Sequence, residues 1–207
     1  MGRYAHLAYT DSVREVQREN GSAAAVERPL RQGADPEPLL DNETAFIESR
    51  DGFYLASVSE TGWPYLQFRG GPPGFAHVLD QHTLGFADVR GNRQYITTGN
   101  VRADGRVALF LMDYPNRMRL KIFGRATTHP LTENPALTER LCSVRTDGRP
   151  ERLVVIRVEG CNWNCHQHIT PRYTPAELEA ALTPIREKLT ALEEENSRLR
   201  AQLPATP

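Results

Sequence analysis

Gly62-Trp63-Pro64-Tyr65-Leu66-Gln67-Phe68-Arg69-Gly70-Gly71 opens the stretch that decides the fold; Phe86-Ala87-Asp88-Val89-Arg90-Gly91-Asn92-Arg93-Gln94-Tyr95 continues it, and Met118-Arg119-Leu120-Lys121 closes it. Three segments here read as β-strands. Each finishes on, or turns into, a cationic or amide side chain. The middle one runs into Gly91 and then a predicted helix from Gly91 to Asn100, with Tyr95 and Ile96 facing inward. A glycine allows a sharp turn, and the free N–H groups of a helix start favour an anion. Arg93 adds a full charge on a forked donor that matches phosphate oxygens. Arg69 and Arg119 lie on strands able to flank the same place. The arrangement suits a phosphate with a flat polar ring above it. Any one of these arginines alone reads as a surface ion pair; their recurrence at strand ends is what points to a site.

Working outward, Asp51-Gly52 is a turn signal before an aromatic, β-branched strand, Phe53 to Ser59. Glu60-Thr61-Gly62 turns the chain back into a strand from Pro64 to Arg69, which makes a β-hairpin. Pro64 fits at a strand start, where a missing N–H is tolerated. Gly70-Gly71-Pro72-Pro73-Gly74 reads as a loop. Thr83–Val89, Val107–Met112, Arg117–Thr128 and Leu153–Val158 are the remaining strands, with Val107–Met112 buried on both faces. A short helix is expected at Asn134–Val144. The six strands, joined mostly by short turns, fit a mainly β fold with flanking helices: an antiparallel barrel rather than a parallel α/β sheet.

The ends are different. Residues 1–40 are polar and broken by Gly21, Gly33, Pro29, Pro36 and Pro38; one helix, Thr10 to Asn20, is expected there, capped by Thr10 or Asp11 and ended by Gly21. This segment reads as an arm across the core or a partner subunit. Asp41 or Asn42 is expected to cap a short helix holding Ala45, Phe46 and Ile47. The core domain spans 41–174, and 175–207 forms a helical tail. In that tail Leu182, Ile185, Leu189, Leu192, Asn196, Leu199 and Leu203 recur at alternating spacings of three and four. That is an a/d heptad seam, with Asn196 at an a position. Pro184 lies near its start, so the coil is expected to begin at Ile185. The narrow stripe and mixed charge favour helix-to-helix contact, able to join further copies, over packing on the chain's own domain.

The chain has 207 residues and a formal net charge of −1. Neither nucleic acid nor an anionic membrane surface is indicated. No apolar run is long enough to span a bilayer, and the first residues lack a signal-peptide core. The expected location is cytoplasmic. Three cysteines, Cys142, Cys161 and Cys165, do not form a disulfide framework. Cys161-x3-Cys165-His166-x-His168 carries zinc-type ligands at a spacing uncommon for zinc. Partly buried thiols are the preferred reading there, and no metal is expected.

Three motifs carry a resemblance to a known family: Gly62–Phe75, Phe86–Tyr95 and Leu109–Pro115. Asn164–Tyr173 adds to it. The sequence resembles the pyridoxamine 5′-phosphate oxidase-like flavoproteins over roughly residues 10–175. The resemblance implies a split β-barrel that forms a homodimer and binds FMN in clefts at the subunit interface. On this likeness Arg93 matches the phosphate-binding arginine. Gln94, beside Asn92, stands where the oxidases have a lysine. Ala87 and Asp88 occupy the strand end whose backbone faces the flavin ring. Gln67 and Arg69 lie on the strand that meets ring and ribityl phosphate. Arg119 sits where a glutamine contacts the flavin. Trp163, His168 and Arg172 fall in the C-terminal cofactor and substrate region.

The departures narrow the function. The oxidases carry an Arg and, five residues on, a Lys in the strand matching Tyr65–Gly70; here Pro72 follows Gln67 and Gly74 follows Arg69 at that interval. Their terminal substrate-binding segment is replaced by the heptad helix. The expectation is an FMN-dependent oxidoreductase acting on a small molecule, not a vitamin B6 oxidase. Arg119 is the candidate cation for the reduced ring, and His168 the candidate proton carrier. The alternatives are a non-catalytic sensor or storage protein for flavin, F420 or haem, and an assembly module built on the coiled coil. Haem needs an axial ligand, for which His77, His82, His129, His166 and His168 are candidates.

Overall fold

The computed structural model describes residues 2–31, 33–144 and 146–202. Strands β1 (Gly52–Val58), β2 (Pro64–Gly70), β3 (Ala76–Asp80), β4 (Thr83–Val89), β5 (Arg106–Asp113), β6 (Met118–Pro130) and β7 (Pro150–Trp163) form one sheet in the order β2-β1-β5-β6-β7-β4-β3. Every pairing is antiparallel. Among the described residues the strand count is seven, one more than the sequence reading. The additional strand, β3, has only five residues and follows the Gly-Pro loop. It forms because Phe75 is buried and aligns Ala76 opposite Phe86. The loop itself begins one residue later than expected, since Gly70 pairs with Gly52 at the end of β2.

Side-chain alternation places the core. Phe53, Leu55 and Ser57 of β1 point inward, while Tyr54, Ala56 and Val58 point outward. Leu84 and Phe86 of β4, Leu120 and Ile122 of β6, and Ile156 and Val158 of β7 join them as the most deeply buried residues. Phe53 stacks on Phe75 at 5.6 Å and meets Phe86 edge-on at 5.4 Å. Strand β5 is not buried on both faces as its unbroken apolar run predicts. Val107, Leu109 and Leu111 are buried, but Ala108, Phe110 and Met112 are only half-buried. The outer face of β1, β2 and β5 is therefore apolar and open: Leu66 is 62% and Phe68 54% exposed.

Helices flank the sheet. The described residues among the first forty hold three rather than one: α1 (Gly2–Ala8), α2 (Asp11–Glu19) and α3 (Ala23–Leu30). Pro29 does not break the segment before it: it lies inside α3, one residue before the end. Thr10 takes the N-cap position of α2 without a side-chain cap, and Gly21 turns the chain at φ +69° beyond its end. Tyr4 of α1 stacks on Phe123 of β6 at 4.9 Å, and Arg3 pairs with Glu159 of β7 at 2.8 Å. Helix α4 (Asp41–Glu48) has Leu40, not Asp41 or Asn42, at its N-cap, and the Leu40 N–H donates to Glu43 Oε2 at 3.2 Å. A carboxylate reaching back replaces the side-chain cap that the sequence led one to expect.

Helix α5 (Ile96–Ala103) begins at Ile96, not at Gly91. Tyr95 and Ile96 are exposed, and Thr97, Thr98, Asn100 and Val101 are the buried residues. Helix α6 (Pro135–Leu141) is capped by Asn134, whose Oδ1 accepts from the Leu137 N–H at 3.0 Å. Asn134→Ala removes that acceptor and should lower stability by about 1 kcal/mol. A shift of the urea midpoint with unchanged slope checks this.

The chain divides into two units, residues 1–113 with 118–167, and residues 114–117 with 168–207. The second unit consists mainly of helix α7 (Pro175–Gln202), which runs through Pro184 without interruption. The helix itself starts at Pro175, ten residues before Ile185. Leu203 lies outside the described residues. No described helix is long and apolar enough to cross a membrane.

Candidate functional site

Three side chains on one face of β2 (Tyr65, Gln67 and Arg69) open onto a cleft of about 170 Å³. Its other walls are Asp88 at the end of β4, the loop Gly91–Tyr95, the first turn of α5, and Arg152 of β7. Asp88 is the hub. It is 6% exposed, accepts from Arg69 Nη1 through Oδ1 at 2.8 Å, and accepts from Arg152 Nη1 through Oδ2 at 2.8 Å. The antiparallel register of β4 and β7 sets Asp88 directly opposite Arg152. Arg152 also donates to Thr98 Oγ1 at 3.1 Å, pairs with Glu151 at 3.2 Å, and lies 4.8 Å from the centre of the Tyr95 ring. Both guanidiniums are thereby fixed against the cleft wall. Arg69 Nε is buried and has no hydrogen-bond partner among the described residues.

The loop ahead of α5 has its own order. The Gln94 N–H donates to Asn92 Oδ1 at 3.1 Å, and Asn92 Nδ2 donates to Gln94 Oε1 at 3.3 Å. Arg93 and Tyr95 both take left-handed backbone conformations, at φ +62° and +53°. Such conformations are costly for residues with a Cβ, and they cluster where a chain is held in shape for binding. The Arg93 guanidinium makes no hydrogen bond or ion pair among the described residues. The helix start still faces the cleft through Ile96, Thr97 and Thr98, a few residues later than the sequence reading placed it. Three arginines and one aspartate therefore line a cleft that also holds the first turn of α5 and the side chains of Gln67, Asn92 and Gln94. The chemistry is that of an anion site.

Among the residues singled out from sequence, Gln67, Arg69, Asp88, Asn92, Arg93 and Gln94 come together here. Ala87 is half-buried next to Asp88 on β4. Arg119 and Trp163 do not line this cleft in the single chain, and His168 and Arg172 belong to the second unit. Arg119 sits on β6, where its Nη2 lies 3.8 Å from Cys165 Sγ. Trp163, at the end of β7, donates to Glu43 and meets the Phe46 ring edge-on at 4.8 Å. Arg172 stacks over Tyr114 at 4.9 Å, and His168 has a left-handed backbone at φ +63°. Arg152 was missed by sequence reasoning. Its signal was the charged pair Glu151-Arg152 directly ahead of the apolar run Leu153–Ile156.

The family comparison bears on this geometry. A profile described as pyridoxamine 5′-phosphate oxidase matches residues 39–162, more than half of the chain. The chain belongs to the pyridoxamine 5′-phosphate oxidase family. No curated protein matches it. Among solved structures, the tagged HupZ protein of Group A Streptococcus superposes with a TM-score of 0.50 at 15% identity, covering 65% of this chain and 99% of that one. A single-substitution form of the same protein gives the same score and identity over 61% and 99%. A putative pyridoxamine 5′-phosphate oxidase from Lactobacillus delbrueckii is 19% identical, with a TM-score of 0.47 over 60% and 93%. At 15% identity the HupZ structures speak for the fold alone. Within the oxidase family, seven antiparallel strands with flanking helices are a split-barrel-like arrangement.

The cysteines behave differently from one another. Cys161 is buried, and its thiol is pushed up to about 12 by desolvation and by the carboxylates of Glu37 and Glu43. It is not a thiolate at neutral pH. Cys165 is exposed, and its thiol is lowered by the Gln167 backbone N–H and by Arg119. Cys165 should therefore react with a disulfide reagent at least on the order of tenfold faster than Cys161 in the native protein, with the difference lost on unfolding. Thiol release followed over time, with Cys165→Ser alongside, checks this. Among the described residues, no group of three His, Cys, Asp or Glu side chains is placed to hold a metal ion.

Proposed function

We propose that the chain is an FMN-binding flavoprotein, a homodimer that acts as an oxidoreductase on a small molecule. The observation that carries this is the cleft around Asp88, where fixed Arg69 and Arg152, uncommitted Arg93 and the start of α5 face one another. These groups fit a phosphate monoester. The orphaned Arg69 Nε supplies a further donor. Arg93 makes the principal charge contact, Arg69 and Arg152 add charge from the walls, and Gln67, Asn92 and Gln94 donate from their amides. The family supports flavin as the group that bears the phosphate.

Two features favour the dimer. The cleft, at about 170 Å³, is smaller than the roughly 300–1,000 Å³ of a full cofactor pocket, so one chain offers a partial site. The open apolar face of β1, β2 and β5, with Tyr54, Leu66 and Phe68 outermost, offers a surface for the second subunit. In this reading Arg119, Trp163, His168 and Arg172 reach the cofactor from the other subunit. When bound, FMN supplies a two-electron acceptor. Arg119 holds a positive charge beside it, and His168 moves a proton. Residues 41–174 form the cofactor-binding domain, with 1–40 as its arm and 175–207 as its helical tail. Pro72 and Gly74, where the oxidases carry a lysine, set the chain apart from vitamin B6 oxidation.

The test is an FMN titration of the purified chain, followed by its visible spectrum and by gel filtration. A yellow dimer with about one FMN per chain, reducible by a nicotinamide cofactor, supports the reading. Binding without reduction leaves a flavin carrier in place of an enzyme. A protein that ignores FMN and binds F420, or that shows a Soret band with haem, overturns the choice of cofactor.

A further inference from the structure

We infer that α7 pairs with α7 of a second copy as a parallel, in-register, two-stranded coiled coil. The inference is independent of the cofactor. Helix α7 has 28 residues and none of them is buried. Ile185 is 62%, Leu189 55%, Leu192 52% and Leu199 51% exposed. A helix draws most of its stability in water from packing of an apolar face, and a stripe confined to a and d positions is a coiled-coil seam. What fits such a stripe is another helix with the same spacing. Pro184 falls at a c position, outside the seam.

The buried polar residue then chooses the orientation, and the flanking charges agree with it. With Leu182, Leu189 and Asn196 at a and Ile185, Leu192 and Leu199 at d, Lys188 and Glu195 take g positions, and Glu193 and Arg200 take e positions. In a parallel, in-register pair each g side chain faces the e side chain of the following heptad in the other helix. Lys188 of one copy then meets Glu193 of the other, and Glu195 meets Arg200. All four contacts, counted over both copies, join opposite charges. The same register places Asn196 against Asn196, where each amide can satisfy the other. An antiparallel pair places Asn196 against an apolar d side chain and strands its amide, at a cost of about 1–3 kcal/mol. A buried Asn at one a position fixes register and favours two strands.

The consequence is that the same end of α7 from each copy lies together. Ile185→Cys and Leu199→Cys, each made in the full-length chain with Cys165→Ser, test it under mild oxidation. Ser197→Cys, at an outward b position, serves as the control. Both positions are exposed in the single chain, so neither substitution removes a core contact; circular dichroism confirms that α7 remains helical. The expected result is covalent dimer from both seam variants, at least tenfold more than from Ser197→Cys. An antiparallel pair can bring together identical residues at only one level, so cross-linking of one variant alone overturns the inference. Cross-linking of neither also overturns it.

Discussion

Asp88→Asn will unfold at a temperature well below that of the unaltered chain in phosphate-free buffer. Asp88 is the single carboxylate between two guanidiniums, and all three side chains are more than three-quarters buried. Removing one member of a buried pair leaves uncompensated charge, which costs roughly 3–5 kcal/mol. Asparagine keeps the shape and one acceptor, so the lower end, about 3 kcal/mol, is expected. For a chain of this length that lowers Tm by roughly 6–12 °C. The same substitution leaves Arg69 and Arg152 facing a third arginine with no anion between them. Added inorganic phosphate should therefore raise the Tm of the variant more than that of the unaltered chain. Equal melting temperatures in phosphate-free buffer would show that the three groups do not depend on one another.

Arg93→Ala will weaken FMN binding by roughly 10- to 100-fold while leaving the fold intact. Charge-assisted hydrogen bonds contribute about 1.5–3 kcal/mol each, and Arg93 spends none of its donors on the protein. Its loss is felt by a ligand and not by the core. Quenching of flavin fluorescence measures the affinity, and an unchanged Tm without FMN completes the result. Arg93→Lys should recover only part of the loss, because an ammonium keeps the charge without the fork. Unchanged affinity in Arg93→Ala would rule out its role.

Much of the sheet was legible because alternation is local. Six of the seven strands follow from aromatic and β-branched runs bounded by Gly, Pro and Asp. Strand β3 was not legible, since five residues after a Gly-Pro loop carry too little pattern to separate from it. The start of α5 was misplaced for a different reason. Asn92 holds the Gln94 N–H with its side chain, and Tyr95 turns left-handed, so the backbone there is spoken for before a helix can begin. At the site, residues near one another in sequence were found together, and Arg152 was not. Its place depends on a register between strands separated by β5 and β6, which no local pattern encodes. Likewise, the outer face of β5 looked buried because its apolar residues give no sign of which chain covers them.

The sheet order has a consequence for how the protein is made. The β3–β4 hairpin joins the rest of the sheet through β7 alone. Residues 90–149 must therefore be synthesised after β4 before its partner strand exists. At about 5–20 residues per second, that is a delay on the order of 3–12 s. During it, the backbone N–H and C=O groups along the β4 edge that later pairs with β7 have no partner strand, while β2, β1, β5 and then β6 can already assemble in sequence. The nascent chain thus passes through a half-built sheet with an unpaired strand edge. The anion cleft, which needs β2, β4 and β7 at once, is completed only when the last strand has left the ribosome.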